Sequence, residues 1–220
     1  MIWEPLKLSL LVVTIATLII ATVGLAIGVL LAKGTFRGKD LLASFLTLPL
    51  VLPPTVSGYY LIVILGRHGL IGEYLYQLTG WTVAFTWQAA VIAATVMSLP
   101  LMILSARAAV ESVNPHFEIV SYTLGKSWLA TFFLITVPLA RRGILAGIVL
   151  SFTRALGEFG ATFMLAGNIP GRTQTMPLAI YEAVISGDDK RAQLLALILT
   201  GVSVAAVYFT NKLSKGAIRY

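Results

Sequence analysis

Cysteine is absent from the 220 residues, and histidine is nearly so, with only His68 and His116. The first absence excludes disulfide frameworks, thiolate metal ligands and cysteine nucleophiles, and it leaves the redox compartment open. The two histidines stand far apart, in segments expected to be loops on opposite sides of a membrane, so no shared metal centre is expected. Charge is sparse as well: 11% of residues are charged, against roughly 25% in a soluble domain. Apolar residues take the place of charge, at 58% of the chain, and the mean hydropathy is +0.90. A water-soluble core cannot absorb that excess, so the chain is read as an all-α polytopic membrane protein. A net charge of +7 would suggest nucleic acid for a soluble protein. Here the basic residues gather in a few loops, as orientation signals do, and no nucleic-acid partner is expected.

Five apolar segments are long enough to cross a bilayer: about Leu8 to Leu31, Leu41 to Leu65, Ala84 to Ala106, Leu139 to Leu165 and Ala192 to Asn211. The first exceeds the apolar stretch of a signal peptide and is read as a retained helix. Lys33, Arg37, Lys39, Arg107, Lys126, Arg141, Arg142, Lys212, Lys215 and Arg219 fall on one side. Lys7, Arg67, Arg172, Lys190 and Arg191 fall on the other, several of them offset by Glu4, Glu73, Asp188 and Asp189. The bias places the N-terminus outside and the C-terminus in the cytoplasm. Trp3, Trp81 and Tyr208 sit near segment ends, as interfacial aromatics do. No internal repeat or soluble linker is evident, so residues 1–220 are read as one membrane domain.

The second segment contains "LPLVLPPTVSGYY", with Pro49, Pro53 and Pro54. In an unbroken helix these prolines would strand the carbonyls of Phe45, Pro49 and Leu50, and Pro53 is biased away from helical torsions by the proline after it. Stranded carbonyls in lipid cost several kcal/mol each, so irregular backbone survives at that depth only inside protein or beside water. The break is expected to face inward. Thr55, Ser57 and Gly58 follow it with hydroxyls and bare backbone. A packing kink is the plainer reading; the three prolines with hydroxyls behind them favour a solute pathway.

"TRALGEFGAT" in the fourth segment holds a second irregularity. Arg154 and Glu158 are four residues apart and on a helix would share one face, where pairing is nearly obligatory for charges inside a bilayer. Gly157 and Gly160 would admit another helix at close range. The pair either fixes a moving helix, the favoured reading, or lends the charge of Arg154 to a passing anion. Beyond it, "GNIPGRTQTMP" carries turn formers and amides, including Asn168, Gly171, Arg172 and Thr173; it reads as an ordered external loop or as a plain connector.

On the other face, about 107–138 is too long and too amphipathic for a simple turn. Asn114 and Pro115 are a cap and a first helical residue, and Gly125 divides the stretch into two short helices. Such an element lies in the interface or docks on a soluble partner. No phosphate-binding loop is present: Gly125-Lys126-Ser127 follows Val120 where the first glycine of that motif belongs. A membrane enzyme would need converging acids, bases or ligands, whereas only Arg154 and Glu158 are expected within the membrane itself. A self-sufficient channel would leave the Gly125 element without a purpose.

These residues resemble the membrane subunits of ABC importers, whose cytoplasmic signature is Glu-Ala-Ala, three residues, Gly, nine residues, Ile-x-Leu-Pro. Here Gly125 is followed nine residues later by Ile135, Thr136, Val137 and Pro138. Ile119, Val120 and Ser121 stand at the Glu-Ala-Ala positions, and the acid, Glu118, is one residue early. Over nearly the whole chain, "LPLVLPPTVSGYYL", "RALGEFGATFMLAGNIPGRTQTMPLAIY" and "FRGK" are similar to the molybdate permease branch and its sulfate relatives. The resemblance implies a type I importer permease fold and a homodimer with the pathway on its two-fold axis, in the cytoplasmic membrane of a prokaryote. It also implies a soluble oxyanion-binding protein outside and two ATPase subunits that bind the ATP, leaving this chain without a cofactor. Molybdate is the implied cargo, with tungstate, sulfate and thiosulfate as alternatives. ATPase coupling would fall to Glu118, Ser121, Leu124, Gly125, Lys126 and Pro138. The pathway or its gate would involve Pro49, Pro53, Pro54, Thr55, Ser57, Gly58, Arg154, Gly157, Glu158 and Gly160.

Overall fold

In a computed structural model the chain is a bundle of helices, with no strand among the described residues. The structure describes residues 2–216, and side-chain surroundings as far as residue 208. Arg219 therefore lies outside the described residues, as do the side chains of Asn211, Lys212 and Lys215.

Helix α1 runs from Trp3 to Lys33 without interruption, widened by a π turn at Ile20–Gly24. Pro5 stands in its first turn, where a missing N–H is harmless. After it come α2 (Lys39–Val51), α3 (Pro54–Leu65), the short surface helix α4 (Gly72–Thr79) and α5 (Trp87–Glu111). Next are α6 (Pro115–Thr123), α7 (Trp128–Leu156, with a π turn at Phe132–Thr136), α8 (Gly160–Ala166), α9 (Met176–Ile185) and α10 (Asp189–Gly216).

The core sits around α5. Of its most apolar stretch 61% is buried, against 28%, 22% and 11% for α1, α7 and α10. Ala89, Ala90, Ala93, Ala94 and Ala106 supply a small-residue surface on which neighbours pack closely. From α1, Gly24 and Gly28, four residues apart, meet it: a Cβ on Gly28 would lie 2.7 Å from the Ala106 Cβ. This is the small-residue packing that drives helix association where lipid removes the hydrophobic incentive. On the other flank Gly143 and Gly147 of α7 face Ala109 and Ser105.

The structure refines the expected segments. The proline-rich segment is broken as expected, into two half-length helices, α2 and α3, of 13 and 12 residues, whose axes bend by 116°. At 1.5 Å per residue each reaches about 20 Å or less, short of the ~30 Å of hydrocarbon. Among the described residues four helices are long and apolar enough to cross, and the bent pair would make a fifth. Pro49 stays inside α2, and the break falls at Leu52–Pro53, with Pro53 extended (φ −53°, ψ 137°) and Pro54 at the start of α3. A proline there has no helical N–H to lose.

The expected fourth segment, Leu139 to Leu165, is shifted. Its helix begins at Trp128 and stops at Leu156, so exposed Arg141 and Arg142 lie on a long helix rather than in a loop. Such long side chains can lie along a helix and keep their charge near water. The inner element consequently shortens to α6 and the few residues flanking it, and its second expected helix is the start of α7. His116 belongs to the first turn of α6, not to a loop.

Candidate functional site

Two helix breaks meet in the middle of the bundle. Helix α7 ends at Leu156 and α8 starts at Gly160, so Arg154 and Glu158 do not share a continuous helix face as expected. They pair across the helix end instead: Arg154 Nη1 donates to Glu158 Oε2 at 2.6 Å, while Glu158 Oε1 accepts the Ala161 N–H at 2.9 Å. The carboxylate closes one helix and opens the next. Its side chain is 1% exposed, that of Arg154 29%. An unpaired charge at mid-bilayer costs roughly 2.5–3.5 kcal/mol, a cost that pairing offsets.

The N-terminal ends of α3 and α8 lie against one another. A Cβ on Gly160 would sit 2.8 Å from the Pro54 Cβ and 3.2 Å from the Thr55 nitrogen, and one on Gly58 would sit 2.8 Å from the Ala161 Cα. Close approach therefore runs through Gly58 and Gly160. Gly157, expected to share that role, has only the Thr153 carbonyl nearby, at 3.8 Å. Pro54, Thr55, Arg154, Gly157, Phe159 and Gly160 line an open cavity of about 360 Å3, with Glu158 at its back. Pro53, Pro54 and Thr55 are exposed in the single chain, whereas Ser57 is buried and its Oγ has no hydrogen-bond partner among the described residues. Pro49, on α2, does not line this cavity.

Glu158 pairs with Arg154 and offsets much of its charge at a distance, while Arg154, 29% exposed, is among the residues that line the cavity.

Beyond α8, residues 167–175 form an ordered loop. The Ile169 carbonyl accepts the N–H groups of Arg172, Thr173 and Gln174, and the Ile169 N–H donates to Thr173 Oγ1 at 3.0 Å. Thr173 is fully buried; Gly171 and Arg172 are exposed, and Asn168 accepts from Gln174 Nε2 at 3.1 Å. The same Gln174 amide donates to Glu182 of α9. The loop is pinned to α1, because the Met176 N–H donates to Ser9 Oγ at 2.7 Å. Sequence reading missed Ser9 and Gln174: a serine in an apolar helix and an amide in a polar loop carry no local signal of their partners. The same holds for the ring cluster of Phe159, Phe163 and Tyr181, with centroids 5.3–5.9 Å apart, which covers the second break.

At one end of the bundle α6 stands clear of the body. The Asn114 side chain accepts the His116 N–H at 3.0 Å and opens the helix. Gly125, at φ +76°, closes it: its N–H reaches the Tyr122 carbonyl and that of Lys126 the Ser121 carbonyl, a paired closure that needs a left-handed residue. Ser121 Oγ lies 2.8 Å from Thr131 Oγ1. Glu118 accepts from Lys33 Nζ at 2.7 Å and from Thr136 Oγ1 at 2.6 Å. Burial pushes the Glu118 carboxyl upward, but the bonds from Lys33 and Thr136 together outweigh it and hold the group below its ordinary value. Phe117, Val120 and Leu124 are exposed, Leu124 at 75%. Lys126 and Pro138 are exposed as well. Among the described residues no group of three or more histidines or acids is placed to hold a metal ion.

Known proteins resemble this chain over most of its length. The molybdenum transport system permease protein ModB of Escherichia coli K12 is 44% identical over 214 residues, covering 97% of this chain and 93% of that one. ModB of Haemophilus influenzae is 43% identical over 187 residues, covering 84% and 82%. Among solved structures, a chain of the MetNI methionine ABC transporter in an inward facing conformation superposes with a TM-score of 0.73 at 14% identity, covering 99% of this chain and 94% of that one. The fold is thus that of type I ABC importer permeases. Residues 24–217 match the binding-protein-dependent transport system inner membrane components, and with so much of its length matched the chain belongs to that family.

Proposed function

We propose that the chain is the membrane-spanning subunit of a molybdate importer, a transport component with no enzymatic role of its own. The near full-length likeness to ModB carries this reading, and the open cavity beside a neutralised arginine is chemistry suited to passing an oxyanion. Two copies would face one another across the exposed Pro53–Thr55 bend, enclosing a hydrated route that neither wall forms alone. In this reading residues 1–220 act as one unit in the lipid of a prokaryotic cytoplasmic membrane, with the N-terminus outside and the C-terminus within.

Membership of a binding-protein-dependent system supports two partners in general terms, an ATPase and a soluble binding protein. The apolar face of α6, with Leu124 foremost, suits an ATPase surface, and ATP would be bound there rather than on this chain. The ordered loop 167–175, at the far end of α1 from α6, suits the binding protein. Closure of the ATPases on ATP would move α6 and, through α7, the double break at Pro53 and Gly157.

Reconstitution with the ATPase and binding protein tests the reading. Molybdate should stimulate ATP hydrolysis and accumulate in the vesicles, and competition with tungstate and sulfate ranks the cargo. Absence of any oxyanion-stimulated hydrolysis would overturn it.

A further inference from the structure

We infer that Lys33 and Glu118 tether α6 to the end of α1, so that Glu118 is a positioning residue inside this subunit rather than a contact to the ATPase. The inference deepens the transport reading and rests on it.

Helix α6 has almost no apolar attachment. Of its nine residues only Ser121 is buried, and only Glu118 is otherwise substantially covered. Both turn toward the body, and the bonds that hold them are polar. Both carboxylate oxygens of Glu118 are occupied within the chain, by Lys33, 85 positions away, and by Thr136, 18 away. The tethering pair is partly withdrawn from water, with side chains 32% and 13% exposed. A cavity of about 30 Å3 beside it is walled by Tyr122, Trp128 and Phe132. Partial burial raises the worth of an ion pair above that of an exposed one.

The tether gives α1 a mechanical role. Lys33 is its last residue, Gly24 and Gly28 lock it against α5, and Ser9 near its start holds the backbone of Met176 at the edge of the 167–175 loop. One continuous helix thus joins the α6 surface to the loop at the opposite end. A displacement of α6 pulls on α1, and a displacement of the loop returns along it.

The test uses the full transporter in vesicles, with Lys33→Glu, Glu118→Lys and the combined charge swap. Each single variant should lower molybdate uptake per ATP hydrolysed about fivefold while the ATPase still co-purifies, and the swap should recover most of it, as coupled neighbours do. Melting of the detergent-purified complexes supplies a second cycle: singles lowered, swap restored. Loss of the ATPase from Glu118→Lys but not from Lys33→Glu would overturn the inference, as would a swap that restores neither quantity. Should the unaltered transporter hydrolyse ATP without responding to any oxyanion, the transport reading fails, and the melting cycle alone decides the tether.

Discussion

Glu158 is buried, ionic, and bonded at once to the end of α7 and the start of α8. Removing its partner leaves a buried charge with one remaining bond. Arg154→Gln should destabilise the purified protein by about 3 kcal/mol, read as a lowered melting temperature. Glu158→Gln, which keeps an oxygen for the Ala161 N–H, should cost less. An equal loss from both would mean that Glu158 serves only Arg154. Glu118 makes a pH prediction whose sign follows from its lowered value. A carboxylate depressed in the folded state contributes stability above its ordinary value of 4.5 and loses it as pH falls through the folded one. Lys33 and Tyr122 share its cavity. The melting difference between the unaltered protein and Glu118→Gln should hold steady at neutral pH and shrink below about pH 4.5.

Helices approach one another through glycines placed where no side chain fits. On Gly28 a Cβ would come within 2.7 Å of Ala106 Cβ and 3.0 Å of the Ile103 carbonyl, whereas on Gly201 of α10 it would meet nothing within 4 Å. Gly28→Ala should therefore cost about 1–3 kcal/mol through overpacking, while Gly201→Ala should be neutral or stabilising by up to ~1 kcal/mol; paired thermal melts separate the two. Gly160→Ala forces apart α3 and α8, since the added carbon would fall 2.8 Å from Pro54. Uptake by the reconstituted Gly160→Ala transporter should drop more steeply than its melting temperature, because the contact lies at the cavity rather than in the α5 core.

As a whole, the molecule exposes its bend to whatever lies beside it. Val51 is 81% exposed, and Pro53, Pro54 and Thr55 continue the same surface. If two copies meet there, a cysteine at Thr55 should cross-link to its counterpart in membranes under mild oxidation. One at Leu78, 85% exposed on α4, should not. The native chain has no cysteine, so a dimer band has a single origin. A Thr55→Cys protein that stays monomeric on a non-reducing gel would show that copies do not meet at this bend.

Composition, proline placement and the cap-and-glycine frame around α6 were legible in the sequence, because they act within a few residues along the chain. Hydrophobic length identifies helices, Pro53-Pro54 must break one, and Asn114 with Gly125 must begin and end another. The pairing of Arg154 with Glu158 was legible for the same reason, their spacing being local, although the helix between them turned out to be broken. Tertiary structure alone decided the 116° fold of α2 on α3, the 13-residue and 12-residue arms it creates, and the shift of α7 toward Trp128. It alone joined Lys33 to Glu118 and Ser9 to Met176. Hydropathy measures how much of a segment can meet lipid or protein, not which direction it takes or which distant donor it finds. Those are set when surfaces from remote parts of the chain come together and their polar groups must be satisfied.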